Sequence, residues 1–266
     1  MTATEEEKEP ILDRILSNPL AGLSPWIVYA LLQGKGTLEL AAGVAFGIAL
    51  VLLCIGWVRG GRPKMLEYAD VVFFGVLSIV VATTSKSVNN WLELWGGEIA
   101  NVALMVIVVG SIVIRRPFTL AYAKEESPEE IWDSPIFIRT NYIISGVWAG
   151  SFVIQALSGL YGDGVLHNQD NLWTGWIIPL VPMIIAVQFT LWYPKRIEAQ
   201  TDGTGDGPPI EAFLAQVFPL FTVIGIVALF VDDYPWPIGT AFIVVGAVLT
   251  KVCAERANRT APVNSN

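Results

Sequence analysis

Seven stretches of this chain are long and apolar enough to cross a bilayer as helices. They are Leu38–Val58, Met65–Thr83, Gly97–Ile114, Ile136–Tyr161, Leu172–Tyr193, Ala212–Val231 and Trp236–Cys253. A hydrocarbon core of about 30 Å takes about 20 helical residues, and each stretch is close to that length. A weaker eighth stretch, Pro19–Gln33, precedes them. At 1.5 Å per residue it reaches only about 22 Å, which fits a short span, one arm of a re-entrant hairpin or an interfacial segment. The fold class expected is therefore all-α: a polytopic membrane helix bundle of about eight transmembrane helices, or seven if the first is re-entrant or interfacial. Composition agrees. The 266 residues are 53% hydrophobic and 15% charged, against roughly 25% charged in soluble domains. That leaves too little polar surface for a water-soluble core and too much apolar sequence for disorder. A net charge of −8 without a basic run argues against a nucleic-acid partner.

Positive residues prefer cytoplasmic loops. With simple alternation of spans, Arg59, Arg62 and Lys64, then Arg115, Arg116 and Lys124, then Lys195 and Arg196, then Lys251, Arg256 and Arg259 all fall on one side. Lys35 and Lys86 fall on the other, with Asp163, Asp170, Asp232 and Asp233. With eight spans Lys8 and Arg14 join the basic side, and both termini are expected in the cytoplasm. Trp57, Trp173, Trp192 and Trp236 sit near ends of apolar runs, where headgroups favour amphipathic rings. Trp148 lies deep in its helix and reads as core. The acidic start, Glu5–Glu7, is unlike a signal peptide. The expected organisation is a cytoplasmic amphipathic or flexible segment over residues 1–18, a six-helix membrane block over 19–199 and a flexible Gly/Asp-rich linker over 200–211. A membrane hairpin over 212–253 and a cytoplasmic tail over 254–266 complete it.

Few side chains suit catalysis. The cysteines Cys54 and Cys253 are far apart in sequence, and the single histidine, His167, stands in a loop. No nucleophilic triad, metal-ligand set, phosphate loop or dinucleotide motif emerges, since GTGDG lies in the linker without flanking strand and helix. No catalytic residue, cofactor or metal is expected. Charges at membrane depth are the candidates instead. Glu67 and Asp70 share a helix face near the basic side, and Arg139 lies at similar depth, which predicts an ion pair between Arg139 and one of these acids. Glu39 and Glu98 are expected to begin their helices, where carboxylates meet the helix dipole. Gln155, Gln188 and Gln216 are expected inside, bonded across helices. Gly43 with Gly47, and Gly146 with Gly150, have the four-residue spacing of close helix contacts. Pro179, Pro182 and Pro219 should bend their helices.

The most distinctive stretch is VIRRPFTLAYAKEESPEEIWDSPIFIRTNYIISGVWAGSF. Arg115 and Arg116 end a helix, Pro117 stops it, and Ser134 with Pro135 starts the next. In Arg115, Arg116, Pro117, Trp132, Asn141 and Trp148 this stretch resembles the bacterial intracellular septation protein A family, small inner-membrane proteins of the cell envelope. The earlier SPWIVYALLQ and WVRGGRPK resemble that family's beginning, so the likeness runs from about Ser24 to Leu160. The helices over Leu172–Cys253 and the acidic linker are additions to the pattern. The resemblance implies a non-catalytic role in envelope synthesis or septation in the bacterial cytoplasmic membrane, as scaffold or accessory subunit. Alternatives are a small transporter or channel for a lipid or small solute, and a lipid-headgroup-binding protein. Arg115, Arg116, Arg139, Glu67, Asp70 and Asn141 form the candidate headgroup or ion-pair site. The partners expected are the lipid bilayer with anionic phospholipid, other membrane proteins, and a further copy of the chain in a homo-oligomer.

Overall fold

The computed structural model describes residues 19–58, 63–167, 171–230 and 235–260. The amphipathic segment expected over residues 1–18, the loop cations Arg59 and Arg62, and the last residues of the tail lie outside the described residues. Among those described, all regular structure is helical. The helices are α1 (Pro19–Gly22), α2 (Ser24–Leu32), α3 (Leu38–Val58), α4 (Met65–Thr83), α5 (Lys86–Val113), α6 (Phe118–Glu125), α7 (Pro135–Gly164), α8 (Ile178–Thr201), α9 (Ile210–Val217), α10 (Pro219–Leu229) and α11 (Trp236–Thr260). A wide π-type turn, Trp173–Ile177, leads into α8. Among the described residues, seven helical stretches are long and apolar enough to cross a membrane, with α9 and α10 counted together around the Pro219 bend. The chain is an all-α polytopic helix bundle.

It forms two compact units, Met1–Ala149 and Gly150–Asn266, which divide within α7. The division expected at residues 200–211 is not where the units part, because that segment is fastened to α8. Trp192 Nε1 donates to the carbonyls of Pro208 and Pro209, at 3.1 Å each, and Arg196 Nη1 donates to Pro208 at 3.1 Å. Trp192, expected among headgroups, is accordingly buried. The glycines serve turns: Gly203 and Gly207 both have φ of 68°, a left-handed conformation that side chains disfavour. A Cβ on Gly207 would also stand 2.8 Å from the Arg196 backbone.

In the first unit, α3 packs on α2 and α4 through alanine. Ala41, Ala45 and Ala49 recur every fourth residue and are completely buried, so one helix face is almost bare backbone and neighbours come close. Gly43 and Gly47 lie on the exposed side of the same helix, and nothing stands within 4 Å of where a Cβ would project from either. Gly146 and Gly150 are likewise exposed and open. Within the first unit the four-residue repeat that makes the contact is that of the alanines flanking Gly43, not that of the glycines. Segment α1–α2 runs alongside α4 and parallel to it. Trp26 meets Phe73 and Phe74 at ring separations of 4.7 and 4.8 Å, and Tyr29 meets Phe74 at 5.5 Å. Leu23, Trp26 and Tyr29 are buried, so the segment is part of the packed interior. Trp148 is buried as expected, with Phe118 edge-on at 6.4 Å. Helix α5 begins at Lys86, well before Gly97, so Glu98 is buried in mid-helix and does not cap an N-terminus. Glu39 does stand in the first turn of α3.

In the second unit, Ser158 Oγ donates to the Thr174 carbonyl at 2.9 Å, and a Cβ on Gly162 would overlap the Thr174 side chain. Asn171 Oδ1 caps the turn that follows, accepting from the amides of Trp173 (2.9 Å) and Thr174 (3.1 Å). Gln155 bonds Ser151 in its own helix at 3.1 Å, and Gln216 is exposed, so neither bridges helices as expected. Pro182 and Pro194 lie within α8, while Pro179 sits in its first turn. The α10–α11 pair is the tightest packing in this unit. A Cβ on Gly225 would stand 2.5 Å from the Gly239 carbonyl oxygen and 2.7 Å from the Ile243 amide, and one on Gly246 would stand 2.6 Å from the Thr222 amide.

These contacts predict opposite outcomes for similar substitutions. Gly225→Val or Gly239→Val lowers the stability of the bundle by about 1–3 kcal/mol, because backbone must move to admit the side chain. Gly43→Val leaves the melting profile of the detergent-solubilised chain unchanged.

Candidate functional site

Apart from Glu98 on α5, the buried charged residues described in the first unit gather where α4 begins. Glu67 occupies the third position of that helix and folds back over its N-terminus, so that the Lys64 amide donates to Glu67 Oε2 at 3.0 Å. This satisfies one of the donors that every helix start leaves open. The Lys64 ammonium lies 3.4 Å from Glu67 Oε1 and 2.9 Å from Glu125 Oε2. It also stands over the Tyr122 ring, 4.5 Å from the centroid. Lys64 and Glu67 are each about 7% exposed at the side chain, whereas Glu125 is 43% exposed. One turn deeper, Asp70 is fully buried, and its Oδ1 accepts from Trp26 Nε1 at 2.6 Å. Helix α6 covers the group from the end of the bundle. Its Tyr122 hydroxyl is aimed at Gly22, where a Cβ would overlap it. Tyr122 is buried, and burial first, then the negative charge of Glu67, holds its hydroxyl well above the ordinary tyrosine range.

A second polar seam ties α6 to its neighbours. Ser111 Oγ donates to the Val108 carbonyl at 2.7 Å and accepts from the Phe118 amide at 3.2 Å. Thr119 Oγ1 and Ser145 Oγ are 2.7 Å apart, and Thr119 Oγ1 donates to the Asn141 carbonyl at 3.1 Å. Asn141 is buried, and its side-chain amide donates to Phe137 at 3.0 Å, within its own helix. Between α5 and α6 the chain turns sharply. Arg115 adopts φ of 61°, with its amide bonded to Ile112 at 3.0 Å and that of Arg116 to Ser111 at 2.8 Å. That pair of bonds is a helix C-terminal cap usually made with glycine.

The six candidate residues thus separate into three groups. Glu67 and Asp70 are buried near one another. Arg115, Arg116 and Arg139 are exposed, and Asn141 belongs to the α6 seam. The predicted pairing of Arg139 with Glu67 or Asp70 does not occur. Arg139 makes no ion pair among the described residues, Glu67 takes Lys64, and Asp70 takes Trp26. Similar depth was inferred from position along α7, but the Arg139 side chain points outward. Sequence reasoning missed Lys64, Trp26, Tyr122 and Glu125. The spacing of Lys64 and Glu67 was a readable cap signal, since a glutamate at the third helical position reaches back to the residue before the helix. Nothing local marks Trp26 or Tyr122. Among the described residues, no three or more His, Cys, Asp or Glu side chains converge as metal ligands. No family model, no curated protein and no solved structure matches the chain.

Removal of Lys64 strands Glu67 as a buried, uncompensated carboxylate. Lys64→Met therefore destabilises the bundle by about 3–5 kcal/mol, whereas Arg139→Ala leaves the denaturation midpoint of the full chain where it was. Tyr122 adds a pH dependence. An unfolded tyrosine ionises near pH 10, and the folded one ionises higher, so its contribution is intact below about pH 10 and is lost as pH climbs through the folded value. Alkaline titration of stability should show wild type losing ground, relative to Tyr122→Phe, only above that point.

Proposed function

We propose that this protein is a non-catalytic integral membrane subunit, a scaffold or accessory component of bacterial cell-envelope synthesis or septation. The observation that carries the reading is the contrast between the two sides of α3. Its alanine side is filled by α2 and α4, while Gly43 and Gly47 present bare backbone outward with no atom near. Glycine in an exposed helix position costs about 1 kcal/mol relative to alanine. In lipid, what such a face offers is close approach for another helix. The buried polar groups of the first unit meanwhile join its own elements: Lys64 bridges α4 and α6, and Trp26 bridges α2 and α4.

The envelope setting rests on the likeness to the septation family between Ser24 and Leu160. The bacterial cytoplasmic membrane is likewise what that likeness implies, and the distribution of cations between loops supports both termini in the cytoplasm. Arg115, Arg116 and Arg139, all exposed, suit contact with anionic phospholipid.

Mild extraction of the full chain from native membranes tests the proposal. Wild type carries specific membrane proteins through purification. Gly43→Leu combined with Gly47→Leu loses them while melting as wild type does. Recovery of wild type as a lone, lipid-free monomer rejects the subunit role.

A further inference from the structure

Lys64, Glu67 and Asp70 are all buried, so among the described residues this end of the first unit encloses two carboxylates and one ammonium. Lys64 contacts Glu67 and the half-exposed Glu125. Among the described residues no cation lies within bonding distance of Asp70: its Oδ1 accepts from the neutral Trp26 indole, and its Oδ2 is buried without a hydrogen-bond partner. The Tyr122 hydroxyl is also buried and unpartnered. A buried carboxylate is costly unless a positive charge or hydrogen bonds compensate it. One added positive charge at Oδ2 removes the cost.

The groups facing Asp70 narrow the identity of that charge. From α2 come Trp26 and the buried phenol of Tyr29. From its own helix comes Glu67, with Lys64 just before it, and from α6 come Tyr122 and Glu125. The described part of α3 holds one charged residue, Glu39, at the far end of that helix. On α5, Lys86, Glu93 and Glu98 lie toward its start, whereas Arg115 and Arg116 are exposed beyond its end. A metal ion needs several oxygen ligands, and among the described residues no three His, Cys, Asp or Glu side chains converge. A proton needs one oxygen.

We propose that Asp70 Oδ2 is a buried proton-binding site of this membrane protein, loaded from the aqueous side at Glu125. Binding forms an O–H bond on Oδ2 with a proton taken from water, and nothing is oxidised or reduced. Glu125, Lys64 and Glu67 form a bonded series running from half-exposed to buried. Asp70 follows one turn later, about 4.5 Å further along the helix. The bound proton leaves Oδ1 accepting from Trp26, so the α2–α4 contact survives loading, while its loss places a net negative charge beneath that contact. The site is independent of any partner bound through α3.

Infrared spectroscopy of the full chain in lipid nanodiscs tests the site, with aspartate labelled at its side-chain carbonyl with carbon-13. Wild type at neutral pH shows the carbonyl band of a protonated acid, moved by the label. Asp70→Asn loses that band. Trp26→Phe keeps the carboxyl but removes the indole bond to it, and so shifts the band. This second variant decides the matter if Asp70→Asn does not fold. Absence of a labelled acid band in wild type overturns the proposal. So does a band that Trp26→Phe leaves unmoved, which belongs to another aspartate. A band that appears in choline chloride but vanishes in sodium chloride also overturns it, because sodium then occupies the site.

Discussion

How near two backbones can come governs this bundle. Hydrocarbon outside is as apolar as the side chains inside, so burial alone gives helices little reason to associate. What remains is dispersion, which falls steeply with distance, together with a few polar bonds. Each unit answers with small residues on a facing side: Ala41, Ala45 and Ala49 in the first, and Gly225, Gly239 and Gly246 in the second. In the second unit the approach leaves no room for a single methyl group at these glycines.

The polar bonds are concentrated rather than spread. Lys64, Glu67 and Asp70 sit at the start of α4, and α6 closes over them with Tyr122 and Glu125. Ser111, Thr119, Ser145 and the Asn141 backbone hold α6 in that position. This short helix is thus retained by directional bonds as well as by its buried Phe118 and Tyr122. This arrangement joins α2, α4, α5, α6 and α7 at one end of the unit.

Much of the fold was legible because lipid makes strong demands on sequence. The limits of α3 and α4 follow from their apolar runs alone. The start of α5 does not, since Asn89, Asn90 and Glu93 interrupt hydrophobicity without interrupting the helix. The acids of the site stood out as charges in apolar surroundings. Their partners did not, because depth along a helix can be counted from sequence whereas the direction a side chain faces cannot be known before neighbours are placed. Arg139 has the right depth and the wrong direction. Lys64 read as a marker of loop orientation, although its distance from Glu67 was also that of a helix cap. Glycine spacing suffered similarly: Gly43 and Ala45 are equally good candidates in sequence, and only packing distinguishes them.

Helix α5 has 28 residues, which at 1.5 Å each is about 42 Å. The hydrocarbon layer is about 30 Å thick, and α4, its partner across a short turn, is close to that thickness. The longer rod must therefore lean or stand clear of the oil at its Lys86 end, where Trp91 is exposed and the Glu93 carboxylate receives the Gly36 amide at 2.9 Å. Such unequal lengths make the molecule sensitive to bilayer thickness. A thin membrane leaves a stub of α5 projecting as a raised step, and a thick one draws it in.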